Sequence, residues 1–139
     1  MKIRVLTASR KGKLKGMAEV LATLAQNGIY KADKIPPDYS CENERAIIIL
    51  ITPSSIPNKA DVDRFIQGLN RQRARNVAFV VDGKPEEIAP FADTIRKNDV
   101  NVVEPILYVE GGFPLFSKMS PADKATVTDW FSKVTQNLA

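Results

Sequence analysis

The sequence predicts an α/β protein, one domain over residues 1–139, with a five-stranded parallel sheet covered by helices on both faces. Two observations carry this. Short apolar runs alternate with stretches whose apolar residues recur at spacings of three and four, along nearly the whole chain. The strongest run, Ala46-Ile47-Ile48-Ile49-Leu50-Ile51-Thr52, is apolar at consecutive positions, as a central strand buried on both faces must be.

The elements follow in order. Residues 3–7 read as a buried strand. Residues 13–27 read as a helix, with Leu14, Met17, Val20, Leu21 and Leu24 on one stripe and Asn27-Gly28 as its stop. Residues 29–35 form a weak, partly polar strand at a sheet edge, followed by a Pro36-Pro37 loop that runs to Glu44. Residues 46–52 are the central strand, and residues 53–57 a loop. Asn58 then caps a helix with Asp61 in its first turn and Val62, Phe65, Ile66 and Leu69 inward. Residues 76–81 are a buried strand stopped by Asp82-Gly83. Residues 85–97 are a helix with Ile88, Phe91 and Ile95 inward. Residues 101–109 are the fifth strand, ended by Gly111-Gly112. Ser120-Pro121-Ala122-Asp123 starts a last helix, with a cap, a first-position proline and an acid. Val127, Trp130, Phe131, Val134 and Leu138 face the core from it.

Composition narrows the chemistry. At 139 residues, 44% hydrophobic and 26% charged, the chain can bury a core of its own. No apolar run approaches the roughly 20 residues of a membrane helix. The first residues carry Lys2 and Arg4 instead of a signal-peptide pattern, and the single cysteine, Cys41, excludes an internal disulfide and reads as a loop thiol. The expected location is the cytoplasm, away from any membrane. A net charge of +4 admits an anionic ligand or partner without demanding nucleic acid. Arg71, Arg73 and Arg75 read as the solvated end of a helix, and the lack of an interleaved aromatic residue argues against nucleic acid there. There is no histidine, so Ser–His and Cys–His nucleophile pairs are excluded and zinc chemistry is disfavoured.

In a parallel sheet of this kind ligands sit beyond the carboxyl ends of the strands, at the point where the strand order reverses. The loops at residues 8–13, 53–58 and 82–85 leave those ends, and a fourth, at 110–114, follows the fifth strand. The first combines Ser9, Arg10, Lys11, Gly12 and Lys13 ahead of a helix N-terminus, a place that attracts phosphate. A Walker phosphate loop is excluded, because Gly12-Lys13-Leu14 has no hydroxyl for magnesium and no earlier glycine. A phosphoacceptor aspartate after the third strand and a nucleophilic cysteine after the first are also missing.

Residues 7–19, Thr7-Ala8-Ser9-Arg10-Lys11-Gly12-Lys13-Leu14-Lys15-Gly16-Met17-Ala18-Glu19, resemble the opening of flavodoxin-like proteins, with Ser9, Gly12, Met17, Ala18 and Glu19 in place. Thr52-Pro53-Ser54-Ser55 resembles the flavin-facing loop of that family. Residues 108–113, Tyr-Val-Glu-Gly-Gly-Phe, are similar to a turn in its protoporphyrinogen-oxidase-like branch. The resemblance implies a flavodoxin-like sheet in the order 2-1-3-4-5 and FMN as cofactor. It places the phosphate at Ser9, Arg10, Lys11, Gly12 and Lys13. It places the ring between Thr52, Pro53, Ser54, Ser55 and Ile56 on one side and Asp82 and Gly83 on the other. No side chain is assigned as a catalytic acid or base, and no metal is implied. The implied function is electron transfer or oxidoreduction with a redox partner protein. Lys11, Lys13 and Leu14 stand where the family has hydroxyls and an amide. A second reading therefore stays open: a flavodoxin-fold module that has lost FMN and binds another anionic ligand or a protein partner.

Overall fold

The computed structural model describes residues 2–25, 32–35, 37, 41–110 and 118–139. In chain order these form β1 (Ile3–Ala8), α1 (Gly12–Ala25), β2 (Asp33–Lys34), β3 (Glu44–Ile51), α2 (Lys59–Gln67), β4 (Ala74–Asp82), α3 (Pro85–Lys97), β5 (Asn101–Val102), β6 (Leu107–Val109) and α4 (Pro121–Gln136). Every strand pair is parallel, and the sheet runs β2-β1-β3-β4-β5, with β6 also on β4.

Side-chain alternation divides the core in two. Ile3, Val5, Ala46, Ile48, Leu50, Ala78 and Val80 face α1 and α4, meeting Leu14, Met17, Leu21, Val127, Trp130 and Val134. Leu6, Ile47, Ile49, Ile51, Val77, Phe79 and Val81 face α2 and α3, meeting Val62, Ile66, Ile88 and Ile95. The predicted inward residues therefore lie inward, except Leu24, which is exposed.

Three sequence expectations need correction. The fifth strand is two short strands: β5 joins β4 at Asn76 and Val77, and β6 joins it at Val80, Val81 and Asp82. Pro105 lies between them and has no N–H to give the ladder. Asn58 occupies the cap position of α2 but is left-handed (φ 52°) and makes no side-chain cap bond. A capping side chain reaches back from an extended backbone, which this conformation does not provide. Arg71, Arg73 and Arg75 are exposed but do not end a helix. The Asn70 side-chain oxygen accepts the N–H groups of Gln72 and Arg73, turning the chain into β4, which carries Arg75. Cys41 is a loop thiol, as predicted, and it is buried; burial, followed by the charge of Glu44, pushes its thiol pKa up. Of the predicted edge strand, Asp33 and Lys34 pair with Leu6 and Thr7. Residues 29–31, the Asn27-Gly28 stop and the Gly111-Gly112 turn lie outside the described residues. No helix among the described residues is long and apolar enough to cross a membrane.

The start of α4 is as predicted: Ser120 Oγ accepts the Asp123 N–H at 3.1 Å, and Asp123 accepts the Ser120 N–H at 2.9 Å. That backbone bond, helped by the Ser120 hydroxyl and Lys13, holds the Asp123 carboxyl below its ordinary value. A carboxyl lowered on folding stabilises the fold above its unfolded pKa of about 3.9, and loses that contribution as pH falls through the folded pKa. Asp123→Asn is therefore expected to be less stable than the parent at neutral pH. The gap should close from about pH 5 downward, measured by urea unfolding across pH; a gap independent of pH would contradict this assignment.

Candidate functional site

The chain leaves β1 toward the β2 side and leaves β3 toward the β4 side, so the strand order reverses between β1 and β3. The loops that meet there were predicted to form the site, and the register shows how they meet. Ala8 pairs with Ile51, and Ile51 with Val81, so the next residues, Ser9, Thr52 and Asp82, stand level across three strands.

Their hydrogen bonds have a direction. An ionised Asp82 can only accept, so the Thr52 hydroxyl donates to Asp82 Oδ2 at 3.1 Å. Thr52 then has no proton left for Ser9, and the 2.7 Å contact between the two hydroxyls runs from Ser9 to Thr52. The Ser9 oxygen accepts the Lys11 backbone N–H at 3.1 Å, and the Lys11 ammonium lies 3.8 Å from the same Asp82 oxygen. The first loop, the end of β3 and the end of β4 thus close a ring of contacts around one carboxylate. Ser9 and Thr52 are buried within it.

The other predicted residues surround this ring. Gly12 and Lys13 open α1, whose first turn carries no acid, and Lys13 pairs with Asp123 of α4 at 3.6 Å. Leu14 is fully buried in the core. Arg10 is exposed and, with Ser9, Lys15 and Lys34, lines a cleft of about 470 Å³ between α1 and β2. Pro53 is half-buried, Ser54 and Ser55 are exposed, and Ile56 packs against the α2/α3 core. Gly83 (φ 156°) comes close to the second loop: a Cβ there would lie 3.6 Å from Pro53 Cδ and 3.0 Å from Glu87 Oε1. Asp82, Pro53 and Gly83 are thus brought together with Ser9, Thr52 and Lys11, whereas Arg10 stands apart over the neighbouring cleft. The sequence reading recognised Asp123 only as the acid of a helix start and missed its pairing with Lys13. It also placed Asp82 at the ring and missed its hold on the first loop, although strands of known register would have revealed it.

This topology, with its first loop at the reversal point, matches solved structures along the entire chain. Flavodoxin 1 from Bacillus cereus superposes with a TM-score of 0.70 at 13% identity, covering 100% of both chains. The fold is flavodoxin-like. A flavodoxin from Streptococcus pneumoniae superposes with a TM-score of 0.66 at 10% identity, covering 99% of this chain and 100% of that one. The diflavin flavoprotein A3 from Nostoc sp. gives 0.61 at 12% identity, covering 97% and 92%. No family model and no curated protein matches the chain. At these identities the likeness carries the flavodoxin-like fold alone.

The donor set of this site suits a phosphate: two hydroxyls, two ammonium groups and an acid-free helix N-terminus. In the structure the Thr52 hydroxyl and the Lys11 ammonium hold the protein's own Asp82 carboxylate, and Lys13 holds Asp123.

Proposed function

We propose that the chain is an FMN-binding flavodoxin-like protein that works in electron transfer or oxidoreduction with a redox partner protein. The observation that carries the reading is the held carboxylate: the first loop and Thr52 already secure an anion beside the N-terminus of α1. On this reading, Ser9, Arg10, Lys11, Gly12 and Lys13 bind the phosphate, with Lys11 and the hydroxyls exchanging Asp82 for it. Thr52, Pro53, Ser54, Ser55, Ile56, Asp82 and Gly83 border the ring. Bound FMN would supply the redox chemistry that no side chain here provides. The protein's own work is to hold the phosphate, exclude water and set the charge near the ring.

The same contacts favour a second reading, a flavodoxin-fold module that binds another anionic ligand or a protein partner. Both hydroxyl protons run toward Asp82, and the neighbouring cleft, lined by Arg10, Lys15 and Lys34, is itself cationic. A titration separates the two. The purified protein is expected to absorb near about 450 nm, or to quench added FMN at micromolar concentration, as flavoproteins do. A colourless protein that leaves FMN fluorescence unchanged up to about 100 μM, weaker than ordinary cofactor binding, would sink the FMN reading and leave the second.

A further inference from the structure

The opposite end of the sheet carries a second row. Ile3 pairs with Ala46, and Ala46 with Asn76, so the preceding residues, Lys2, Arg45 and Arg75, adjoin one another where three adjacent strands begin, and Arg45 and Ala46 both donate a backbone N–H to the Lys2 carbonyl. Neighbouring strands lie about 4.8 Å apart. Like charges side by side in a sheet are destabilising, yet here they are aligned. The turn into β4 adds the exposed Arg71 and Arg73, and Lys2, Arg45, Arg71 and Arg75 line one cleft of about 460 Å³.

One acid, Glu44, lines the cleft with the four cations; it is buried, takes Arg4 at 3.1 Å and Lys2 at 3.5 Å through one oxygen, and its other oxygen has no hydrogen-bond partner among the described residues. Asp99 pairs with Arg71 at 3.3 Å. Arg45, Arg73 and Arg75 form no ion pair with any described residue.

We infer that this cleft binds a linear polyphosphate chain, whether free or as the tail of a nucleoside triphosphate. Guanidinium groups grip phosphate oxygens in pairs, and three of the four cations lining the cleft are arginines. Its volume lies within the range of small-ligand sites. No aromatic residue lines it, so it offers a base nothing to stack on. The row spans only about 10 Å, two strand spacings, too little to follow a nucleic-acid backbone. Arg75 and Asp82 lie seven residues apart on β4 (75 to 82), about 23 Å, so this cleft is separate from the first loop.

Isothermal titration of the whole chain with inorganic tripolyphosphate, a nucleoside triphosphate and a short DNA duplex tests the inference. Tripolyphosphate and the nucleotide are expected to bind, and to weaken as salt rises from about 50 to about 200 mM. Equal binding assigns recognition to the phosphate chain alone, and tighter nucleotide binding names the nucleotide as its source. The double substitution Arg45→Gln, Arg75→Gln should weaken both about tenfold or more, with a melting temperature no lower than the parent's, because it relieves repulsion. No binding by the parent, a duplex binding tighter than both ligands, or loss through Lys11→Gln instead overturns the inference. A double variant that melts lower than the parent does the same, since the arginines would then be structural.

Discussion

Asp82→Ala is expected to bind FMN about ten- to a hundredfold more tightly than the parent, because a hydrogen-bonded charge is worth about 1.5–3 kcal/mol and each 1.4 kcal/mol is a factor of ten. Asp82 holds the Thr52 hydroxyl and the Lys11 ammonium, the groups a phosphate needs. As part of the same chain it competes at high effective concentration. Removing it releases the Thr52 hydroxyl and the Lys11 ammonium from that carboxylate and removes a like charge from beside the phosphate. The alanine variant should lose about 1–2 kcal/mol of stability, since the Thr52 proton is left without its acceptor. Asp82→Asn keeps an acceptor for Thr52 and removes the charge, so it should gain affinity with less loss of stability. FMN fluorescence titration and urea unfolding measure the two effects. If both variants fold and neither binds FMN better than the parent, Asp82 does not occupy the phosphate position, and the second reading of the fold gains ground.

Phe79→Ala should cost about 3–5 kcal/mol, the range for truncating a buried aromatic residue. Phe79 is fully buried in the middle of β4, level with Ile49 of β3, on the side covered by α2 and α3. Truncation there loses the transfer energy of the ring and leaves a cavity, and the two costs add together. A natural domain has only about 5–15 kcal/mol in total, so this one change takes up much of the margin. The urea midpoint should fall while the slope stays unchanged, because the surface exposed on unfolding is nearly the same. A loss under about 1 kcal/mol would mean that the two helices collapse onto the sheet and refill the site.

The fold was legible because its signals are local and repeated. The run from Ala46 to Ile51 could only be a strand covered on both faces, and Ser120, Pro121 and Asp123 mark a helix start through their own chemistry. Pro105 was visible too, but its effect depends on which strand lies beside it, which no local pattern gives. The site was legible as three loops and illegible as a set of contacts. Lysines at 11 and 13 suggested phosphate, yet their carboxylate partners, Asp82 and Asp123, lie far away in sequence and meet them only through register and helix packing. The same holds for Arg45 and Arg75, thirty residues apart in the chain (45 to 75) and neighbours in the sheet.

The two cross-strand rows stand in a fixed relation. Lys2, Arg45 and Arg75 precede Ser9, Thr52 and Asp82 by the same seven positions on each strand (2 to 9, 45 to 52, 75 to 82). The rows therefore lie at opposite ends of the same three strands, with the buried length of the sheet between them. A change of charge in one row is separated from the other by the fully buried residues of β1, β3 and β4, leaving selection free to remodel either end without disturbing its counterpart.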